Sequence, residues 1–190
     1  MDKRDEILDA ASRIFQKYGL LKTNLDDVAG ECGIKKTALY YYFKNKEDLF
    51  KCMFINDIES IKNKIVSEVE KQRTPLEKIR TYLNLRLSSL EKMQMYFDFF
   101  QSENAPLTYR GFAFSEKEKI LHYEIEFVKN IISEGVSQGT FQVKDIRSLA
   151  FMLIGATFGL TYEIFCFGNT INLKQEIDNI LEIILKGIEK

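Results

Sequence analysis

A chain of 190 residues holds one larger domain or a small domain joined to a larger one, and it can bury a core without metals or disulfides. Its charge is balanced, 27 basic to 28 acidic residues, which excludes a polycationic binder and confines any nucleic-acid contact to a local patch. Three dispersed cysteines (Cys32, Cys52, Cys166) and the single His122 offer no nucleophile–base set and no metal-ligand spacing, so no enzyme activity, cofactor or metal is expected.

The N-terminal stretch is amphipathic and contains acids, unlike a signal or transit peptide, and the longest apolar run, 149–160, is short for a bilayer span. A cytoplasmic location is therefore expected. Ile7, Leu8, Ala11, Ile14 and Phe15 recur at the spacing of one helix face, closed by Gly19. Leu25, Val28, Ala29 and Cys32 form a second, short stripe opened by an Asn24/Asp27 capping box. Gly33 permits a sharp turn, after which Ile34, Leu39 and Phe43 face inward on a third helix. Asn45 with Asp48 caps a fourth, running to about Arg73, and Thr74-Pro75 with Glu77 starts a fifth. The segment 103–114 is the least regular. Ser115 with Glu118 predicts a helix start, and that helix ends between Gly135 and Gly139. Asp145 begins an apolar helix closing at Gly168, and Asn172 with Gln175 begins the last. The sum is an all-α protein of about nine helices.

Residues 35–46 hold four lysines, three consecutive tyrosines and no acid, directly after a helix-turn-helix pattern. The stretch 23–49 resembles the N-terminal motif of TetR-type regulators through Thr23, Asp27-Val28-Ala29, Gly33-Ile34, Leu39-Tyr40, Tyr42-Phe43 and Lys46-Glu47-Asp48-Leu49. Lys35 departs from the family, which often has a capping Ser there; a cation at a helix N-terminus opposes the dipole unless phosphate is near. The resemblance implies a three-helix DNA-binding domain over 1–46 and a ligand-binding and dimerisation domain over 47–190. It implies a dimeric repressor on a palindromic operator in double-stranded DNA. On the recognition helix, Lys36 can donate to guanine, while Thr37 and Ala38 allow close approach to a thymine methyl. Tyr40 can meet phosphate, sugar or base. Tyr41 and Tyr42 flank the backbone in the resembling proteins, Lys46 adds charge at a helix N-terminus facing phosphate, and Thr23 offers a hydroxyl.

Small residues at helical spacing, Gly155 and Gly159 among them, let a partner helix approach. With Ile177, Leu181 and Ile184 on the last helix they can build half of an intermolecular four-helix bundle. Aromatic residues concentrate between these regions: Tyr96, Phe97, Phe100, Tyr109, Phe112, Tyr123, Phe127, Phe158 and Tyr162. Part is ordinary core, and part is expected to line a pocket for a small, largely apolar effector. Arg110, His122, Glu126 and Glu163 are polar groups that could orient it. Such a ligand would change the spacing of the two recognition helices, with the long fourth helix as lever. The alternative is a DNA-binding regulator without a small-molecule ligand, controlled by a protein that docks on the C-terminal helices.

Overall fold

The computed structural model describes residues 2–167 and 172–188, backbone alone at 91 and 185–188. Among these residues the chain forms nine helices: α1 (Lys3–Tyr18), α2 (Leu25–Glu31), α3 (Lys36–Tyr42), α4 (Lys46–Glu70), α5 (Pro75–Ser88), α6 (Leu90–Gln101), α7 (Leu107–Ser137), α8 (Ile146–Phe167) and α9 (Leu173–Ile188). The all-α expectation is met. The stop expected at Gly168, and the side chains of Leu185 and Ile188 on the last helix's apolar stripe, lie outside the described residues.

Two compact units emerge, Met1–Ser60 with Met95–Ala113, and Ile61–Gln94 with Phe114–Lys190. In the first, α2 opens on a complete capping box: Asp27 N donates to Asn24 Oδ1 at 3.0 Å, and Asn24 N donates back to Asp27 Oδ2 at 2.7 Å. It closes on a glycine turn in which Ile34 N reaches Ala29 O and Gly33 N reaches Gly30 O. That pairing needs the left-handed backbone of Gly33 (φ 63°), and it satisfies the last carbonyls of α2 within four residues. Asn45 caps α4 by accepting from Asp48 N at 2.8 Å, while Asp48 Oδ2 accepts from the Lys44 amide at 2.9 Å. Ile7, Leu8, Phe15, Val28, Leu39, Phe43, Leu49, Phe50 and Met53 are fully buried. Phe50 is the hub: the rings of Phe15, Tyr96, Phe99, Phe100 and Tyr109 have centroids 5.2–6.3 Å from its own.

In the second unit Thr74 caps α5, taking the Glu77 amide at 3.2 Å while Glu77 accepts the Thr74 amide at 3.0 Å. Ile79, Leu83 and Leu87 of α5 share one core with Val128 and Ile132 of α7, Leu149, Leu153 and Ile154 of α8, and Ile177 and Leu181 of α9. Each fully buried aliphatic there contributes about 1.5–3 kcal/mol by leaving water. Lys78 pairs with Glu134 at 2.6 Å, and Arg80 pairs with Asp178 to tie α5 to α9.

Two boundaries differ from the sequence expectation. Ser115 starts no helix: α7 already begins at Leu107, just after Pro106, and passes through Gly111 and Ser115 without interruption. The irregular stretch is thus only 102–106. Pro106, which lacks an N–H, stands immediately before the helix, where that donor would have no partner. The second difference is a break between α5 and α6, where the Ser88 and Ser89 hydroxyls both donate to Leu85 O and cap the end of α5.

At the end of α7, Gly135 lies directly under the Phe141 ring, so a Cβ there falls inside the ring's van der Waals envelope. Both residues are buried. Gly135→Ala should therefore destabilise the chain by about 1–3 kcal/mol through overpacking, although alanine is the better helix former. Urea denaturation checks this; an unchanged midpoint would mean that the ring moves freely.

Candidate functional site

The recognition element is α3, whose sequence KTALYYY has one inward residue. Leu39 is buried, and Phe43 seals the helix just past its end. Lys35, Lys36, Thr37, Ala38, Tyr40 and Tyr41 are all exposed, Tyr41 at 86%. Tyr42 is half-buried, with its ring edge-on to Tyr41 at 5.1 Å. Lys35 occupies the N-cap position without a side-chain cap. Lys36 Nζ donates to Asp26 Oδ2 of α2 at 2.7 Å, an exposed pair of small energetic worth that solvent screens.

Two expected contributors are placed differently. Thr23 is 3% exposed and its hydroxyl donates to Gly19 O at 2.9 Å, so it closes the α1–α2 connection rather than presenting a free group outward. Lys46 is half-buried at the start of α4, its Nζ 3.4 Å from Leu21 O. Burial lowers its pKa, and Asp27 works in the opposite direction. One basic group that motif reading misses is Arg4, whose guanidinium lies over the Phe43 ring at 5.2 Å. Its only sequence signal is the Lys3-Arg4 pair that opens α1.

The nine expected pocket residues divide between the units. In the first, Tyr96, Phe100, Tyr109 and Phe112 close on Phe50 and Phe54 in mostly edge-to-face contacts at 4.9–5.9 Å. Phe97 is half-buried on the same helix as Tyr96. Tyr96 donates to Asp57 at 2.5 Å, and burial pushes the Tyr109 phenol up to about 12. Tyr96 and Tyr109 are buried in this core, while Phe97, Phe100 and Phe112 are half-buried. In the second unit Tyr123 stacks on Phe127 at 6.0 Å, Phe127 meets Tyr82 at 5.7 Å, and Phe158 carries the Arg86 guanidinium at 4.7 Å. Tyr162 is exposed and pairs with Phe167.

The polar candidates do not converge. Arg110 donates to Ser102 O, His122 is exposed, Glu126 pairs with Lys129, and Glu163 is half-buried on α8. The buried ionic pair is instead Arg86 with Glu124, bidentate at 2.7 and 3.1 Å. The two residues stand 38 positions apart, and no motif links them. A shallow, open cleft between α7 and α8 is lined by Ile125, Asp145, Arg147, Ser148 and Phe151, none of them an expected pocket residue.

On α8, Gly155 and Gly159 are exposed, and no neighbouring atom lies within 4 Å of a Cβ built at either. Phe151, Met152, Tyr162 and Phe167 are exposed around them. The α9 stripe differs from expectation: Ile177 and Leu181 are 1% exposed in their own unit's core, and Ile184 packs against it. Among the described side chains of α9, the exposed large apolar residue is Ile183. The helix α8 is also longer than the apolar run suggested, long and apolar enough by length and composition to cross a membrane.

Comparison with known proteins gives this arrangement its context. Residues 7–53 match the profile of the bacterial regulatory proteins of the tetR family. The chain is 25% identical over 187 residues to the HTH-type transcriptional repressor KstR2 of Mycolicibacterium smegmatis, covering 98% of this chain and 90% of that protein. A transcriptional regulator from Cytophaga hutchinsonii superposes with a TM-score of 0.81 at 22% identity, covering 97% of each chain. The regulator FadR from Bacillus subtilis, solved with stearoyl-CoA, superposes with a TM-score of 0.71 at 21% identity, covering 97% of this chain and 98% of its own. The helix-turn-helix motif and the profile match agree that residues 7–53 carry the DNA-binding domain of the tetR family of bacterial regulatory proteins, and over its length the chain is similar to transcriptional regulators of the same all-helical fold.

Proposed function

We propose that the chain is a homodimeric, cytoplasmic repressor that binds a palindromic operator through α3 and is released by a small, largely apolar effector. Residues 1–46 form the DNA-binding part, and 47–190 carry effector binding and dimerisation. The observation that carries the reading is the composition of α3: with Leu39 as its one buried residue, the outward surface is lysine, threonine, alanine and tyrosine, without an acid. Lys36 takes the base-reading role, exchanging Asp26 for guanine acceptors, with Thr37 and Ala38 beside it against thymine methyls. Lys35, Tyr40, Tyr41 and Lys46 hold phosphate and sugar, which fixes register without reading sequence.

The dimer reading rests on α8. A contiguous apolar face of Phe151, Met152 and Tyr162 around Gly155 and Gly159 is costly to leave in water, and a second copy of the same face can cover it. Ile177, Leu181 and Ile184 then act indirectly, by holding α9 on its own unit, and Ile183 joins the surface patch. For the effector, the second-unit aromatics Tyr123, Phe127 and Phe158 are the best-supported contacts. The binding of stearoyl-CoA by FadR and the repressor description of KstR2 are consistent with release by a ligand bearing an apolar tail.

Footprinting on the DNA flanking the gene tests the central reading: a protected palindrome supports it, and no binding at any salt concentration refutes it. On that operator, Lys36→Ala should cost about 1–3 kcal/mol and relax preference at one base-pair position, whereas Lys46→Ala should reduce the salt slope by about 1 with preference intact. A uniform loss across sequences for Lys36→Ala would remove its base-reading role. Gly159→Leu should leave helicity intact, because the protomer has room for the side chain. It should also give a monomer by sedimentation, with operator affinity falling toward the non-specific range of about 10⁻⁴–10⁻⁶ M. A dimer that persists would place the interface elsewhere.

A further inference from the structure

The acids of α2 divide by what they bond. Asp27 completes the capping box with Asn24, and Glu31 accepts from Arg13 of α1 at 3.4 Å. Asp26 instead accepts from Lys36 Nζ of α3 at 2.7 Å. Its side chain is 60% exposed and that of Lys36 44%, so both reach solvent. The start of α2 does not need this acid, since Asp27 already supplies the box carboxylate. As a stability device an exposed ion pair is worth little. What stands out is its place: it brings a carboxylate onto the outward surface of α3, which carries no acid of its own. On DNA, a carboxylate at that surface meets phosphate repulsion unless a hydrogen-bond donor receives it.

We propose that Asp26 is a specificity-determining residue of the operator contact: with Lys36 it reads a whole G·C pair, Lys36 donating to guanine O6 and N7 and Asp26 accepting from the cytosine N4 amino group. This deepens the DNA-binding reading above and rests on it. Guanine O6 and cytosine N4 are hydrogen-bonded to each other within the pair, about 2.9 Å apart, and both lie on the major-groove edge. The Lys36–Asp26 pair has a similar span and the opposite sense, a cationic donor beside an anionic acceptor. When Lys36 leaves Asp26 for guanine, the freed carboxylate finds its donor on the same base pair. An A·T pair places the adenine amino group between its two acceptors, adenine N7 and thymine O4. The lysine then cannot hold both, and the carboxylate is left beside an acceptor. Away from the operator Lys36 stays paired with Asp26, which withholds a cation from phosphate and weakens non-specific binding.

The test uses the full chain, a pool of randomised DNA duplexes, and poly(dA-dT) as the non-specific probe. The wild type should select G·C at one position in each half-site. Asp26→Ala should lose about tenfold of that discrimination while the other positions keep theirs. The same variant should bind poly(dA-dT) about fivefold more tightly at about 0.15 M salt, with a salt slope steeper by about 0.9, because Lys36 is released to a phosphate. Adding Lys36→Ala to it should cancel the extra slope. Asp26→Asn, which removes the charge and keeps the shape, should likewise tighten non-specific binding. Both single variants should melt within a few degrees of the wild type, because Asp27 keeps the cap. A larger drop in both means that Asp26 serves the fold, and the proposal fails. It also fails, with the operator reading intact, if Asp26→Ala keeps the full G·C preference or binds poly(dA-dT) with wild-type affinity and slope. If the wild type selects no sequence and binds neither DNA, both fail.

Discussion

A seven-residue helix lies below the length at which hydrogen bonding alone holds a helix together in water. The helix α3 therefore exists because Leu39 and Phe43 seat it on the rest of its unit, both essentially without exposure. That constraint separates the residues around it cleanly. Two side chains carry stability, and the rest of the outward surface is free of structural duty. The capping box of α2 and the glycine turn at Gly33 matter for the same reason. They fix where α2 stops and α3 starts, and with them the direction in which Lys36 and Tyr40 project.

What seats α3 is in turn an aromatic core. Phe50 touches five rings drawn from α1, α6 and α7, and Phe54 extends the set to Phe112. Rings bury roughly 150–250 Å² each, so a few of them stabilise a small unit that could not gather enough aliphatic surface. This accounts for the density of aromatics between 96 and 112 without a ligand. It also moves the search for an effector contact to the second unit, where the rings surround charged and hydroxyl groups instead of one another.

Much of this was legible in the sequence because it is local. Asn24/Asp27, Asn45/Asp48 and Thr74/Glu77 are capping pairs three residues apart, and each forms the bonds its spacing implies. Ser115/Glu118 has the same spacing and caps nothing, since a helix already begun at Leu107 has no orphan amides to satisfy there. The pairing of Arg86 with Glu124 was not legible, because it is made by two helices meeting across 38 residues. Nor was the direction of the α9 stripe. Periodicity at Ile177, Leu181 and Ile184 identifies a buried face but not whether its cover is the same chain or a second one; α5, packed against α9 in the same core, provides the cover.

The helix α8 shows why burial was needed to settle such questions. It is apolar nearly all the way round, so its sequence alone fits a core helix, a membrane span or an interface equally. In the fold its sides separate. Leu149, Ala150, Leu153, Ile154 and Thr157 face the core, Thr157 satisfying its hydroxyl on Ile154 O at 2.7 Å, while Phe151, Met152, Gly155 and Gly159 face outward. Between these sides stands Phe158, against the Arg86 guanidinium. One rigid helix thus carries both the contact proposed to sense the effector and the face proposed to meet the partner. Helix packing shifts in discrete steps rather than by continuous deformation. A ligand that repacks Phe158 therefore acts on the dimer face through a single element, and its effect on operator binding is limited by its differential affinity for the two packings.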